Sequence, residues 1–112
     1  MAYTNRIGYE TIRSIDSATF TGSYQALGTP LAHPGCIIKM VNNSNVLVTI
    51  SIDGINDHDI LPANSFFLYD YTSNTPPGAV SGEFVRQQRQ YLVKGSAGTG
   101  IVYLVVQYIE QV

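Results

Sequence analysis

Three carboxylates, Asp53, Asp57 and Asp59, stand in one short stretch beside His58. A hard cation such as Ca²⁺ draws several oxygen ligands from a flexible loop, so this stretch is the first place to look for chemistry. The spacing departs from the EF-hand pattern: Gly54 comes too early and no glutamate closes the loop. The alternative is a solvated hairpin loop whose carboxylates cap backbone N–H groups. His33 and His58 are the only histidines and Cys36 the only cysteine, too few for a zinc site at ligand spacing. His33-Pro34-Gly35-Cys36 sets a base near a thiol, but no third group in sequence orients the base. An isolated cysteine more commonly serves as a small buried hydrophobe. Gly95 to Gly100 has the composition of a phosphate cradle, yet no Lys-Ser or Lys-Thr follows and the next element reads as a strand. Its glycines fit a turn that needs positive φ. No two titratable groups are spaced for general acid–base work. The expectation is a non-enzymatic protein with no catalytic residue, no metal and no cofactor.

Eight tyrosines and four phenylalanines are the other chemical resource. Tyr69, Tyr71, Tyr91, Tyr103 and Tyr108 fall on apolar, strand-like runs. They could stack sugars or bases. They could equally fill the edge of a core and a protein interface. The cations Arg6, Arg13, Lys39, Arg86, Arg89 and Lys94 are scattered, and net charge is −2. Duplex binding needs several cations facing one phosphate track, so nucleic acid is not an expected partner. With no tryptophan and no basic groove, interface or core is the favoured role for the aromatics. The run Ile101 to Val106 is far too short to span a bilayer, so no membrane is expected either. Met1 to Arg6 is neither a basic nor an apolar leader. One cysteine forms no intrachain disulfide. Both point to folding in a cytoplasm, where the acceptor pattern Asn42-Asn43-Ser44 meets no glycosylation machinery.

These residues must be carried by strands. From Ala18 a period of two appears, with Phe20, Gly22, Tyr24 and Ala26 on one face, and it predicts a half-buried strand. Cys36 to Val41 and Val46 to Ile52 read as two more strands, and Asn42-Asn43-Ser44-Asn45 between them reads as a hairpin turn. Ser65 to Tyr71 is an aromatic strand, apolar on both sides. Thr72 to Gly82 is a long polar loop, and Gly95 to Gly100 a turn. Ile101 to Ile109 is apolar on both sides, which suits the middle of a sheet covered on each face. A strand added last but seated centrally implies crossed connections. The expected fold is all-β: a single-domain β-sandwich, jelly-roll-like or Greek-key, over residues 18–112. In residues 1–17, Ile7, Ile12 and Ile15 could mark one side of a short helix or an irregular extended arm. Gly8 and several Thr and Ser residues weaken the helix, and an extended N-terminal arm laid against a neighbouring subunit is expected.

Only 12% of the 112 residues are charged, against roughly 25% in an ordinary soluble domain. A domain of this size leaves about a third of its unfolded surface wet. Here Asn, Ser, Thr, Gln and Tyr must cover it, and those residues suit contact with other protein. The chain is therefore expected to be one subunit of a homo-oligomeric assembly. The polar run Arg86, Gln87, Gln88, Arg89 and Gln90 is the expected subunit contact, together with Tyr3 and Tyr9 of the arm. Its alternative is an ordinary solvated edge strand.

Three phrases carry a family resemblance. They are Lys39-Met40-Val41-Asn42-Asn43-Ser44-Asn45-Val46-Leu47-Val48-Thr49-Ile50-Ser51-Ile52-Asp53-Gly54, then Leu61-Pro62-Ala63-Asn64-Ser65-Phe66-Phe67-Leu68-Tyr69-Asp70, then Val93-Lys94-Gly95-Ser96-Ala97-Gly98-Thr99-Gly100. Together they resemble small β-rich virion structural proteins of tailed bacteriophages, over roughly residues 18 to 109. The resemblance implies a non-enzymatic part of the particle, made in the host cytoplasm and located in the virion. A ring at the head–tail connection (a neck or tail adaptor) is the first expectation. A capsid decoration protein and a carbohydrate-binding module at the tail tip are the alternatives. Partners would be copies of itself and other virion proteins.

Overall fold

The computed structural model describes residues 5–70 and 85–111. Nine strands account for most of them: β1 (Asn5–Tyr9), β2 (Arg13–Asp16), β3 (Gln25–Ala26), β4 (Gly35–Ser44), β5 (Val48–Ser51), β6 (Asp59–Leu61), β7 (Ser65–Asp70), β8 (Leu92–Lys94) and β9 (Gly100–Gln111). Among the described residues the one helical element is a 3₁₀ turn at Ser17–Thr19. The strands form two antiparallel sheets. The first runs β1-β9-β4-β7, with β2 also on β9, and the second runs β3-β8-β5-β6.

Taken together, β1 and β2 are one interrupted strand along a single edge of β9. Strand pairing then nests. The first strand pairs the last, β3 pairs β8, β4 pairs β7, and β5 pairs β6. This is one long hairpin wrapped into two sheets, the jelly-roll topology expected from the sequence. Its turning point is the loop between β5 and β6. The long strands β4 and β9 then lie side by side, and they form the centre of the first sheet.

Alternation along the strands builds the core. Ile38 and Met40 of β4, Val102, Leu104 and Val106 of β9, and Val48 and Ile50 of β5 all turn inward. Phe20, Leu27, Leu31, Leu61 and Val93 close the space between the sheets. Each is almost fully removed from water, and burying such a side chain stabilises the fold by about 1.5–3 kcal/mol.

Three local expectations are corrected. The described part of the expected arm is indeed extended, but it pairs with its own chain. Arg6 to Tyr9 face Glu110 to Gln107, and Arg13 to Asp16 face Leu104 to Ile101. The physical reason is β9, twelve residues long, whose outer row of N–H and C=O groups needs partners.

Secondly, the predicted strand from Ala18 is mostly not one. Asp16 Oδ1 accepts the Ala18 N–H (2.9 Å) and Thr19 Oγ1 donates to the Asp16 carbonyl (2.7 Å). These local bonds hold a turn in place of a ladder. Phe20 alone of its predicted face is buried.

Thirdly, the predicted Asn42–Asn45 hairpin is an arch between sheets: β4 lies in the first sheet and β5 in the second. The fully buried Asn42 builds the corner. Its amide reaches the carbonyls of Val46 (2.9 Å), Leu61 (3.0 Å) and Pro62 (3.1 Å), two N–H groups shared among three acceptors. Its Oδ1 accepts the Ser44 N–H (3.2 Å). The chain is thus tied across the fold, where a hairpin would have tied it to itself.

Candidate functional site

The inward set of β9 fixes what points outward. Ile101, Tyr103, Val105, Gln107 and Ile109 occupy the alternate positions, away from the core. Across the ladder they meet outward residues of β4: Asn43 opposite Ile101, Val41 opposite Tyr103, Lys39 opposite Val105, and Ile37 opposite Gln107. On the far side of β9 lie Ile7 and Tyr9 of β1. Beyond β4 lie Phe66 and Leu68 of β7. The result is a largely apolar outer face across the first sheet, bordered by Ser14 and Asp16 of β2 and Asp70 of β7. Its flanks are open to solvent: Ile7 is 46% exposed, Tyr9 65%, Phe66 64% and Leu68 50%. At its centre stands one cation, Lys39, whose Nζ lies 5.9 Å from the centre of the Phe66 ring. No described element crosses over this face. Antiparallel sheets usually put polar residues on such a side.

Of the residues expected at a subunit contact, Tyr9 lies on this face and Tyr3 lies outside the described residues. The run Arg86 to Gln90 is a turn, with the Arg89 N–H on the Arg86 carbonyl (3.1 Å) and Gln88 at φ 73°. Two of its three side-chain amides bond to this chain. Gln87 Nε2 donates to the Ala32 carbonyl and Gln90 Nε2 to the Gly28 carbonyl, both at 3.0 Å. The Gln88 N–H reaches the Leu31 carbonyl (2.8 Å), and the Leu31 N–H returns to Arg89 (3.0 Å). The run therefore zips to the Leu27–Gly35 segment. Arg86 and Arg89 remain at the mouth of a cleft with Tyr69, Tyr91, His58 and Asp59.

A second cluster went unread in the sequence. Glu10 and Arg13, only 4% and 8% exposed in their side chains, pair at 2.7 Å beneath the turn between β1 and β2. Glu10 also accepts from the N–H groups of Ala32 (3.3 Å) and His33 (2.7 Å), and from His33 Nδ1 (2.9 Å). Arg13 donates Nε to the Thr29 carbonyl (2.7 Å) and Nη2 to the Pro30 carbonyl (3.0 Å). Burial pushes the Glu10 carboxyl up, but the hydrogen bonds from Arg13, His33 and the two backbone donors outweigh it and hold it below its ordinary range. The His33 ring stacks on Tyr108, centres 3.8 Å apart. Tyr108 in turn lies over Gly8, where any Cβ would fall 2.7 Å from the ring. The cluster borders an open cavity of about 610 Å³. The Glu10 carboxylate, the Arg13 guanidinium and His33 Nδ1 all have structural partners, and the cluster clamps the Gly28–His33 loop to the first sheet. The signal was present: a Glu and an Arg three apart, between apolar residues, in a chain short of charge.

The acidic loop disperses its carboxylates. Asp53 accepts from the N–H groups of Ile55 (2.8 Å) and Asn56 (2.9 Å) and from Ser51 Oγ (2.9 Å). The Asn56 and Ile55 donors hold it far below the usual carboxylate range. Asp57 takes the Tyr24 hydroxyl and Lys94 Nζ (3.1 Å), which lower its pKa. Burial and then Asp57 push the Tyr24 phenol up to about 12. Asp59 takes the Tyr69 hydroxyl and the Ile60 N–H (2.8 Å). Three carboxylates thus serve three places, and among the described residues no three metal-ligating side chains gather. Cys36 is buried at a β-bulge, with Sγ on the Gln107 carbonyl (3.4 Å), and burial pushes its thiol up. His33, bound to Glu10, is not its base. Gly95 to Gly100 leads into β9, so no helix N-terminus faces it.

No protein-family model, curated protein or solved structure matches this chain.

Proposed function

We propose that this chain is a non-enzymatic structural subunit of a bacteriophage virion, present in repeated copies and working by adhesion through the outer face of its first sheet. The observation that carries the reading is the outer face of β9, where Ile101, Tyr103, Val105 and Ile109 are half-buried and the apolar residues flanking them, Ile7, Tyr9, Phe66 and Leu68, are exposed. Strands lie ~4.8 Å apart and residues ~3.4 Å apart along them, so four strand positions over the β4–β9 ladder make a face of about 600 Å² before corrugation. A specific interface takes about 800 Å² from each partner, so one face of this sheet approaches a complete contact. Apolar residues and tyrosine around Lys39, with Asp16 and Asp70 at the borders, resemble the apolar core and polar rim of such interfaces.

The virion assignment rests on the phrase-level resemblance and on the low charge. Within the particle, a ring at the head–tail connection is the favoured place, because closed symmetry covers the same face on every copy. Electron microscopy of the intact particle tests both parts. The expected result is repeated density for this chain at the neck, with the β9 face buried against protein. Density over the whole capsid lattice would move the chain to decoration. A particle without the chain, or one in which the β9 face meets only solvent, refutes the reading.

A further inference from the structure

The cleft that Arg86 and Arg89 line lies beside β6 and β7, the last strands of their two sheets, with a volume of about 340 Å³. Ile50 of β5, Phe67 and Tyr69 of β7, Asp59 of β6 and the buried Tyr91 line it together with the two arginines. Among the described residues neither guanidinium has a carboxylate or hydrogen-bond partner. Each is a planar fork of donors that fits a carboxylate in a bidentate way. Asp59 is an acceptor only. Its two oxygens offer about four lone-pair sites, and the Tyr69 hydroxyl and the Ile60 N–H use two of them. The Tyr69 ring is held in place by stacking on Phe67, centres 4.4 Å apart.

We propose that this cleft is a binding site for an acidic saccharide, a hexuronic-acid unit. Its carboxylate lies on Arg86 and Arg89, a ring hydroxyl donates to Asp59, and the C–H face of the sugar rests beside the exposed Tyr69 ring, with the buried Tyr91 behind it. The complementarity selects among anions. A bare phosphate brings no apolar face. A Glu or Asp side chain of a peptide brings a carboxylate without the hydroxyl that Asp59 needs. A neutral sugar leaves the two cations unmatched. The described lining residues all come from one copy of the chain, so the proposal stands apart from the assembly reading and survives or fails independently of it.

The test is an NMR titration of the ¹⁵N-labelled protein at low salt with galacturonic acid trimer, and in parallel with a neutral galactose trimer. The acidic trimer should shift backbone amides around residues 58–60 and 85–91 with a millimolar or lower dissociation constant. The neutral trimer should bind at least ~10-fold more weakly, as should the acidic one to Arg86→Gln or Arg89→Gln, given what a charge-assisted hydrogen bond contributes. Sodium chloride at high concentration should weaken wild-type binding. Shifts absent up to ~10 mM sugar, equal for the two trimers, or unchanged in both variants overturn the proposal. A triglutamate peptide binding as well as the acidic trimer overturns the saccharide assignment. Should either variant lose its folded spectrum, the acidic–neutral comparison and the salt dependence on wild-type protein decide.

Discussion

Removing the Glu10 carboxylate is the sharpest probe of what holds the two halves of this fold together. Glu10→Ala strips four acceptor contacts at once: those to Arg13, to His33 Nδ1, and to the N–H groups of Ala32 and His33. It leaves the Arg13 guanidinium buried, with only main-chain carbonyls for company. Breaking a buried pair by deleting one partner costs about 3–5 kcal/mol. The Thr29 and Pro30 carbonyls still solvate the arginine, which favours the lower end. At ~4 °C per kcal/mol for a domain of this size, melting should fall by roughly 12–20 °C. A double-mutant cycle with Arg13→Met isolates the pair, and the double variant should be more stable than the summed losses imply by about 1–3 kcal/mol. The pH arm follows from the lowered carboxyl. A carboxylate held below its unfolded value of about 4.3 stabilises the fold above that pH, and the benefit is lost as pH falls through its lower folded value. Glu10→Gln should therefore flatten the acid limb of the stability curve by up to one proton's slope, while Asp53 and Asp57 keep theirs. Urea unfolding followed by circular dichroism between pH 3 and 7 reads all of this. A loss under ~1 kcal/mol for Glu10→Ala with no coupling to Arg13 would refute the idea that this pair clamps the loop.

Two further substitutions probe the corners of the sandwich. Gly100→Ala places a Cβ 2.1 Å from the Asn43 carbonyl oxygen, at a backbone φ of +118° that L residues rarely adopt. Neither obstacle is a flexible side chain, so a loss above ~3 kcal/mol is expected in thermal or urea melts, and a loss below ~1 kcal/mol would contradict this placement of the β9 entry. Asn42→Leu keeps the volume but leaves the Leu61 and Pro62 carbonyls without their shared donor. It should cost about 2–4 kcal/mol in urea, and a neutral result would mean that water replaces the amide at the arch.

The fold class was legible because strand period and burial agree where strands are long. Ile38 and Met40 alternate with Ile37 and Lys39, Val48 and Ile50 with Thr49, and each inward set is in the core. The central seat of β9 was legible for the same reason, and with it the crossed connections. What local pattern failed to show was which strands are neighbours. Asn42-Asn43-Ser44-Asn45 has hairpin chemistry, yet Asn42 spends its amide on carbonyls 4, 19 and 20 residues away in sequence. Such long-range bonds leave no local trace. The Ala18 stretch failed differently: Asp16 and Thr19 offered local side-chain bonds that compete with a ladder, and they won.

The same distinction explains the site. Residue types on Arg86 to Gln90 were legible as polar contacts, but their partners were not, because Gln87 meets Ala32 across 55 residues and Gln90 meets Gly28 across 62. A polar run in a chain with few charges has two ways to be satisfied, its own loops or a neighbour, and composition weighs both equally. Apolar runs are less ambiguous. A strand apolar on both sides must have both sides dry to avoid a standing cost of about 25 cal/mol for every Å² left in water. For β9 the core dries one side through Val102, Leu104 and Val106. The other, from Ile101 to Ile109, has no described cover, and flanking Phe66 and Leu68 widen it on a strand whose own outer edge is long enough to recruit another chain. Charge is the lever that keeps such a face monomeric, and the chain places one lysine within it, over an aromatic ring, and two aspartates, Asp16 and Asp70, at its borders. On the proposed reading, the deficit of charge in the composition and the outer face of β9 are one physical fact seen at two levels, and contact between subunits would satisfy both.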